Sequence, residues 1–513
     1  MYPGAHAATQ PDRPAAIMAG TGERLTYGQL DDRSIRLANA LRDAGLRKGD
    51  TVALLTDNTF RAYEVYWAAV RSGLYLCAVN RHLAAAEIAY IVNDSSAKAL
   101  VVSAALAGVA QEIVPQTEGV GLRLAYNGAV PGYGDYDEAL AGASPEAPED
   151  QPCGADLLYS SGTTGRPKGI RVELPDRQVG EPGGTLIPVL QGLYGFGADT
   201  VYLSPAPVYH AAPLRFAISV HALGGTVIMM EHFDAEEALR AIERYRVTAS
   251  QWVPTMFVRM LKLPEDVRTR YDLSSHRVAV HAAAPCPVDV KRAMIDWWGP
   301  ILAEYYSSTE AIGMTVIDSA QWLEKPGSVG RAVTGVLHVC DDQGRELPAG
   351  QVGTVYFERD EEQFRYLNDP VKTAQARHPA HPLWYTSGDI GYVDPDGYLF
   401  LTDRKAFMII SGGVNIYPQE VENVLALHPA IDDVGVIGVP DPEMGESVLA
   451  VVQPAPGVTP GPDLAAEILD YVRARIAHYK VPRAVEFVGE LPRTPTGKLV
   501  KRRLRERFAT PVS

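Results

Sequence analysis

Along the first half of the chain, short apolar runs alternate with stretches whose apolar positions recur at helical spacing. TVALLT (Thr51 to Thr56) reads as a buried strand, and Tyr63, Tyr66, Trp67 and Val70 then fall at i, i+3, i+4 and i+7, one face of a helix. YLCAVN and KALVVS repeat the strand signal, with helical spacing over Ala84 to Val92 between them. Strands alternating with helices in this way predict βαβ units and a largely parallel sheet. Residues 128 to 155 are rich in Gly, Pro, Ala and acidic residues and read as a surface connection. After about residue 404 the texture changes to that of a small α+β unit. VGVIGV and VLAVVQ read as strands, Leu464, Ile468, Leu469, Val472 and Ile476 as a helix face, and AVEFV as an alternating edge strand.

Composition narrows the class without naming it. A chain of 513 residues with 46% hydrophobic content has room for two or more domains with substantial cores. Its net charge of −15 argues against a nucleic-acid scaffold but not against an anionic cofactor, which needs only local positive groups. Cys77, Cys153, Cys286 and Cys340 form no CxxC pair and read as buried thiols in a reducing compartment. The N-terminus has no basic patch followed by an apolar core, and the longest mainly apolar run, Ala99 to Ala110, is short of the roughly 18 residues of a membrane span. A soluble, cytoplasmic protein is expected, with no transmembrane segment and no nucleic-acid partner.

Candidate chemistry concentrates in YSSGTTGRPKG, Tyr159 to Gly169. Glycine permits positive φ and close backbone approach, so successive N–H groups can converge on an anion while hydroxyls and a lysine add donors. The segment is not a Walker A loop, because Lys168 follows a proline and Gly497-Lys498 lacks the upstream glycine and the following hydroxyl. It resembles the signature phosphate loop of the adenylate-forming enzymes: acyl- and aryl-CoA ligases, stand-alone adenylation domains and luciferases. The resemblance implies that Ser160, Ser161, Gly162, Thr163, Thr164, Gly165 and Lys168 bind the nucleotide, with Thr163, Thr164 and Lys168 serving the β- and γ-phosphates.

Further segments match the same family in order. SPAPVYHAAP implies that Tyr209 and His210 lie beside the substrate carboxylate. It carries no aspartate for an α-amino group, which disfavours an amino-acid substrate. HAAAPCP resembles the family's Gly-Gly-Ala-Pro segment, placing Ala283, Ala284 and Pro285 against adenine and His281 and Ala282, with Gly313, in the acyl wall. EYYSSTEA resembles the YGxTE element, implying that Tyr306 stacks on adenine, Ser307, Ser308 and Thr309 approach the α-phosphate, and Glu310 holds Mg²⁺. Magnesium takes one or two carboxylates with substrate phosphates completing its octahedron, which suits a lone glutamate. Trp384 to Glu422 is the longest match: Asp389 for the ribose hydroxyls, Arg404 for ribose or phosphates, and Ser411, Gly412 and Gly413 for the path of coenzyme A. DPDG within it is a hairpin turn in its own right. By the same resemblance, Lys498 of LPRTPTGK corresponds to the family lysine that swings in for adenylation.

The implied fold is α/β: a large multi-subdomain N-terminal domain, residues 1–403, joined by a hinge to a small mobile α+β domain, residues 404–513. The implied activity is that of an acyl-CoA ligase using ATP, Mg²⁺ and coenzyme A on a hydrophobic carboxylic acid, with AMP as product and room for a homodimer. An adenylation enzyme loading a carrier protein and a silent nucleotide-binding protein are the rivals. Ser307 and Ala282 stand where the family has glycine, and Ala406 replaces a polar hinge residue. These departures raise a further expectation, that adenylation is weak while thioester formation from a supplied acyl-adenylate is retained.

Overall fold

The computed structural model describes residues 2–159, 167–184, 186–404, 407–494 and 499–508. The alternating pattern of the first half becomes an all-parallel sheet ordered Gly134–Asp135, Leu122–Tyr126, Ala97–Ser103, Thr51–Leu55, Tyr75–Val79, Ala155–Asp156. Its central strands are buried along their whole length because helices cover both faces. Helix Arg61–Val70 sits so deep between this sheet and the next that Glu64 is fully buried, held by Arg33, Arg61 and the Tyr136 hydroxyl. The expected surface connection over 128 to 155 is overturned in part. Asp135 caps a helix, Tyr136–Gly142, that sends Tyr136 and Leu140 into the core, and two buried positions in seven residues are too weak a pattern to stand out.

A second sheet runs from Arg24–Thr26 and Pro14–Met18 through Thr226–Met229, Val201–Ser204, Ala249–Trp252, Val278–His281 and Leu302–Ser307 to Met314–Asp318 and Arg331–Thr334. Its middle is parallel and its two ends turn antiparallel, so the C-terminal ends of Val201–Ser204, Val278–His281 and Leu302–Ser307 open along one edge. That edge is where ligands bind in open α/β sheets. An antiparallel sheet of Val336–Cys340, Gly353–Glu358, Asp389–Val393 and Leu399–Arg404 follows. The DPDG segment makes its expected turn, with Asp394 Oδ1 accepting from Asp396 N and Tyr398 N and Gly397 at φ 83°.

Beyond residue 408, strands Ile409–Ser411, Val414–Ile416, Ile431–Asp441, Gly445–Pro454 and Ala484–Phe487 form a separate sheet with its own core of Ile416, Val436, Ala450, Ile468 and Val472. Two expectations shift here. Helix Pro462–Arg473 stops before Ile476, and Ala484–Phe487 is a parallel edge strand half-buried at every position, not alternating. Lys262 Nζ donates to the carbonyls of Ile431 and Asp432, each at 2.8 Å, and so ties this unit to the helix Pro254–Leu261 side of the large domain.

Candidate active site

Ser160, Ser161, Gly162, Thr163, Thr164 and Gly165 lie outside the described residues, but both strands that deliver them are in place. Leu158–Tyr159 and Gly169–Arg171 pair antiparallel, Gly169 opposite Tyr159, and a third strand, Arg365–Tyr366, pairs on the far side of Gly169–Arg171. A Cβ at Gly169 would press on the Tyr159 ring and on Leu367, so glycine is required there. Asp94 at the end of helix Ala85–Asp94 fastens this frame twice. Its Oδ2 accepts from the Tyr159 hydroxyl at 2.7 Å, and its Oδ1 from Asn368 Nδ2 at 3.1 Å. Lys168 reaches over the Tyr366 ring, its Nζ 5.0 Å from the centroid. Burial first, then Lys372, pull its pKa below the ordinary lysine value, while Asp369 and Glu310 oppose the shift.

Strand Leu302–Ser307 brings Tyr306 to its open end, where the Tyr306 hydroxyl donates to Asp389 Oδ2 at 2.6 Å. Ser387 Oγ donates to the same oxygen at 2.7 Å. The two residues expected at adenine and ribose thus meet, although 83 positions separate them. The turn that follows is held by several bonds. Ser307 Oγ donates to the Gly313 carbonyl at 2.7 Å, Arg359 to those of Ala311 and Ile312, and Arg215 to that of Thr309, with Ala311 in the left-handed region at φ 54°. Ser308 Oγ is buried without a hydrogen-bond partner among the described residues. Glu310 Oε1 accepts from the Tyr366 hydroxyl at 2.7 Å. Arg215 is itself engaged by Asp156 at 2.8 Å, linking helix Ala211–Leu223 to the strand Ala155–Asp156 at the edge of the first sheet.

On the acid side, Tyr209 and His210 close the loop before helix Ala211–Leu223, their rings 4.5 Å apart. Tyr209 Oη and His210 Nε2 are buried and lack hydrogen-bond partners among the described residues, so both have polar capacity to offer a ligand. Burial, helped by His82, lowers the His210 pKa to about 3, which keeps the imidazole neutral. The loop is fixed by Asn58. Its Nδ2 donates to Ala206 O and Met230 O at 3.2 and 2.9 Å, and its Oδ1 accepts from Val208 N at 2.9 Å.

Ala282 packs in the same core cluster as Tyr209. His281, one residue earlier, projects to the opposite face of the sheet, against Phe257 and beside the buried Lys291–Glu304 pair, so the structure does not bring it to Tyr209. Gly313 has a packing reason of its own. A Cβ there would overlap the Phe357 ring, so its missing side chain makes room for that ring. Ala283 and Pro285 are exposed and Ala284 partly so, with Ala283 in the left-handed region at φ 78°. Glycine would hold that conformation without strain.

In the C-terminal unit, Gly412 and Gly413 are the exposed two-residue turn between Ile409–Ser411 and Val414–Ile416, at φ 56° and 80°. Positive φ at both central positions is what a type I′ hairpin demands, so the pair has a backbone reason for being glycine. Ser411 flanks it, half-buried. Lys498, Ala406 and the side chain of Arg404 fall outside the described residues, though the Arg404 backbone pairs with Asp389.

Sequence reasoning passed over Tyr366, Asn58, Asp94 and Arg215. None stands in a phosphate-loop, adenine or hinge motif. The signal that could have found Tyr366 and Asn368 is the turn-forming LNDP just after an aromatic, a fixed local structure with no core role of its own.

Two paired strands flanking the glycine-rich segment, a Tyr–Asp pair and a carboxylate on a turn, followed by a separate C-terminal sheet, define the class. The chain belongs to the AMP-binding enzyme family, whose model matches residues 4–361, with the AMP-binding enzyme C-terminal domain matching 420–498. A feruloyl-CoA synthase of Amycolatopsis sp is 36% identical over 99% of this chain and 98% of its own length. A long-chain-fatty-acid–CoA ligase, FadD13 of Mycobacterium tuberculosis, is 33% identical over 99% and 97%. The ATP-bound crystal structure of MatB from Rhodopseudomonas palustris superposes with a TM-score of 0.83 at 29% identity, covering 99% of both chains. The fold is accordingly the adenylate-forming one, a large N-terminal α/β domain followed by a C-terminal domain. No helix among the described residues is long and apolar enough to cross a membrane.

Proposed function

We propose that this protein is an AMP-forming acyl-CoA ligase that activates a hydrophobic carboxylic acid with ATP and passes the acyl group to the thiol of coenzyme A. The observation that carries the reading is the convergence of Lys168, Tyr306, Glu310 and Asp389, from three separate segments, on one edge of the sheet. CoA ligases among its relatives over nearly full length support the acceptor.

The chemistry follows from the groups. A carboxylate is a poor electrophile because its charge and its oxide leaving group both resist attack. Its oxygen attacks the α-phosphorus, pyrophosphate departs, and the mixed anhydride then offers AMP as leaving group to the thiol. Such transfers depend on positioning and charge neutralisation. In this reading Asp389 holds the ribose, Tyr306 lies on adenine, Thr163, Thr164 and Lys168 neutralise the terminal phosphates, and Tyr209 and the neutral His210 face the acid. Glu310 fits Mg²⁺: its carboxylate meets the Tyr366 hydroxyl, over whose ring Lys168 stands, and no cluster of three acidic, His or Cys groups stands among the described residues to hold a metal without phosphate. When bound, the ion would supply charge neutralisation for the phosphate oxygens. Residues 404–513 act as the mobile unit, presenting Lys498 for adenylation and Ser411, Gly412 and Gly413 for the thiol. The four free cysteines, buried or half-buried, suit a reducing cytoplasm.

The direct test is ATP–pyrophosphate exchange across a panel of aryl, aliphatic and polycyclic acids, followed by detection of the CoA thioester. Exchange with one acid class and thioester formation from it are expected. ATP binding with no exchange for any acid would leave a silent nucleotide-binding protein instead. Lys498→Ala should slow exchange by about 10²–10³, the usual loss for one preorganised transition-state charge. The same variant should still convert supplied acyl-adenylate to thioester, and equal loss of both steps would remove the division of labour.

A further inference from the structure

Tyr366 belongs to none of the expected site segments, yet its side chain meets two residues that do. Its hydroxyl donates to Glu310 Oε1 at 2.7 Å, and the Lys168 ammonium stands over its ring at 5.0 Å. We propose that Tyr366 is a positioning residue that couples the carboxylate of Glu310 to the phosphate-loop lysine, setting both for a nucleotide and its divalent cation. The proposal rests on the roles given above to Glu310 and Lys168.

The ring cannot swing freely. Its residue pairs with Ile170 in the strand that leaves the phosphate loop, and Leu367 N donates to Gly169 O at 2.7 Å. Tyr366 N donates to Thr373 Oγ1 at 3.0 Å, and Phe364 packs edge-on at 5.1 Å. Two residues on, Asn368 takes φ 56° and bonds Asp94, which also receives the Tyr159 hydroxyl. Tyr366 is thus held by the same frame that holds both ends of the loop.

The hydrogen bond to Glu310 is not needed to build the turn on which Glu310 stands. That turn is fastened by Ser307 to Gly313, Arg359 to Ala311 and Ile312, and Arg215 to Thr309, all through backbone carbonyls. What the phenol adds is the direction of the carboxylate, since it engages one oxygen and fixes the plane of the group. The ring face does the corresponding work for Lys168, because a cation over an aromatic face keeps its charge while losing lateral freedom.

Two variants separate the hydroxyl from the ring. ATP binding to the full-length protein is titrated calorimetrically in EDTA and over a range of free Mg²⁺, alongside the Mg²⁺ dependence of pyrophosphate exchange. Tyr366→Phe should raise the half-saturating Mg²⁺ about tenfold, the scale of one lost bond to a charged group, with ATP affinity in EDTA as in the parent. Tyr366→Leu should weaken ATP binding in EDTA as well. Unchanged Mg²⁺ dependence in Tyr366→Phe overturns the proposal, and so does an equal loss in EDTA and in Mg²⁺ for both variants, which would mark simple packing. If Tyr366→Leu melts early, the phenylalanine variant decides alone. The titration needs no acid and no turnover, so it reads out even if the chain makes no thioester.

Discussion

Asn58 shows what one neutral amide can hold in place. It satisfies two carbonyls and one N–H that converge on the loop carrying Tyr209 and His210, with nothing ionised among them. Asn58→Ala leaves those groups unpaired in a buried place, at a cost of about 1–3 kcal/mol. It should raise KM for the acid well above any change in KM for ATP, and equal changes in both would reduce Asn58 to a general stabiliser. The buried histidines set a pH limit. Burial takes His210 and His221 to about 3 and His276 to about 4, against about 6.5 in an unfolded chain. Between those values the unfolded state binds more protons, so their stabilising contribution is complete above about pH 6.5 and is lost as pH falls towards 3. Melting temperature should drop on acidification from pH 6.5 to 4, and less steeply in His221→Phe, which keeps a ring against Tyr63. Glu310, Tyr306 and Asp389 could be named as candidates from the sequence because each sits in a short contiguous motif, and the structure joins Tyr306 to Asp389. The bonds of Asn58 and Tyr366 were not legible there, because each reaches groups far away in sequence, and the LNDP turn after Tyr366 marks a local structure without naming its partner.

Among the secondary-structure elements, helix Val288–Trp298 and strand Leu302–Ser307 are joined inside the core by Lys291 and Glu304, 2.6 Å apart. Burial raises the Glu304 pKa and Lys291 opposes the shift. Removing one member strands the other, so Lys291→Met should cost about 3–5 kcal/mol, and Lys291→Met/Glu304→Leu should recover most of it. Thermal unfolding of the two variants checks this, and a double variant as unstable as the single one would refute it. Strands such as Tyr75–Val79 were readable because an unbroken apolar run bounded by turn residues has few alternatives. Helix Tyr136–Gly142 was hidden by its shortness. The side to which His281 points depends on strand register, which composition does not encode: Ala282 and His281 are neighbours in sequence and stand on opposite faces.

For the whole molecule, the last sheet, which begins at Ile409, was visible as a change of texture, whereas the way it is fastened was not. Lys262 donates to two carbonyls at the start of Ile431–Asp441. Lys262→Ala should loosen that attachment and speed proteolysis in the segment after Asp403 several-fold, while the melting of the large domain changes little. An unchanged cleavage rate would show that other contacts hold the unit. The order of strands was equally out of reach, since pattern identifies a strand but not its neighbour across a long loop.

That order has a consequence in time. Ala16 pairs with Val227, and the Ala15 carbonyl lies 3.1 Å from His221 Nε2, so Pro14–Met18, which has Arg24–Thr26 beside it early, takes its other neighbour from a strand synthesised much later. The parallel sheet of residues 51 to 156 can form as it leaves the ribosome. Pro14–Met18 cannot. At a synthesis rate of about 5–20 residues per second it waits on the order of ten seconds or more for Thr226–Met229, with only Arg24–Thr26 to pair with until then. Pro14–Met18 therefore emerges long before Thr226–Met229 can cover its open side, and a nascent protein stalled near residue 160 would leave that side exposed to chaperones and proteases.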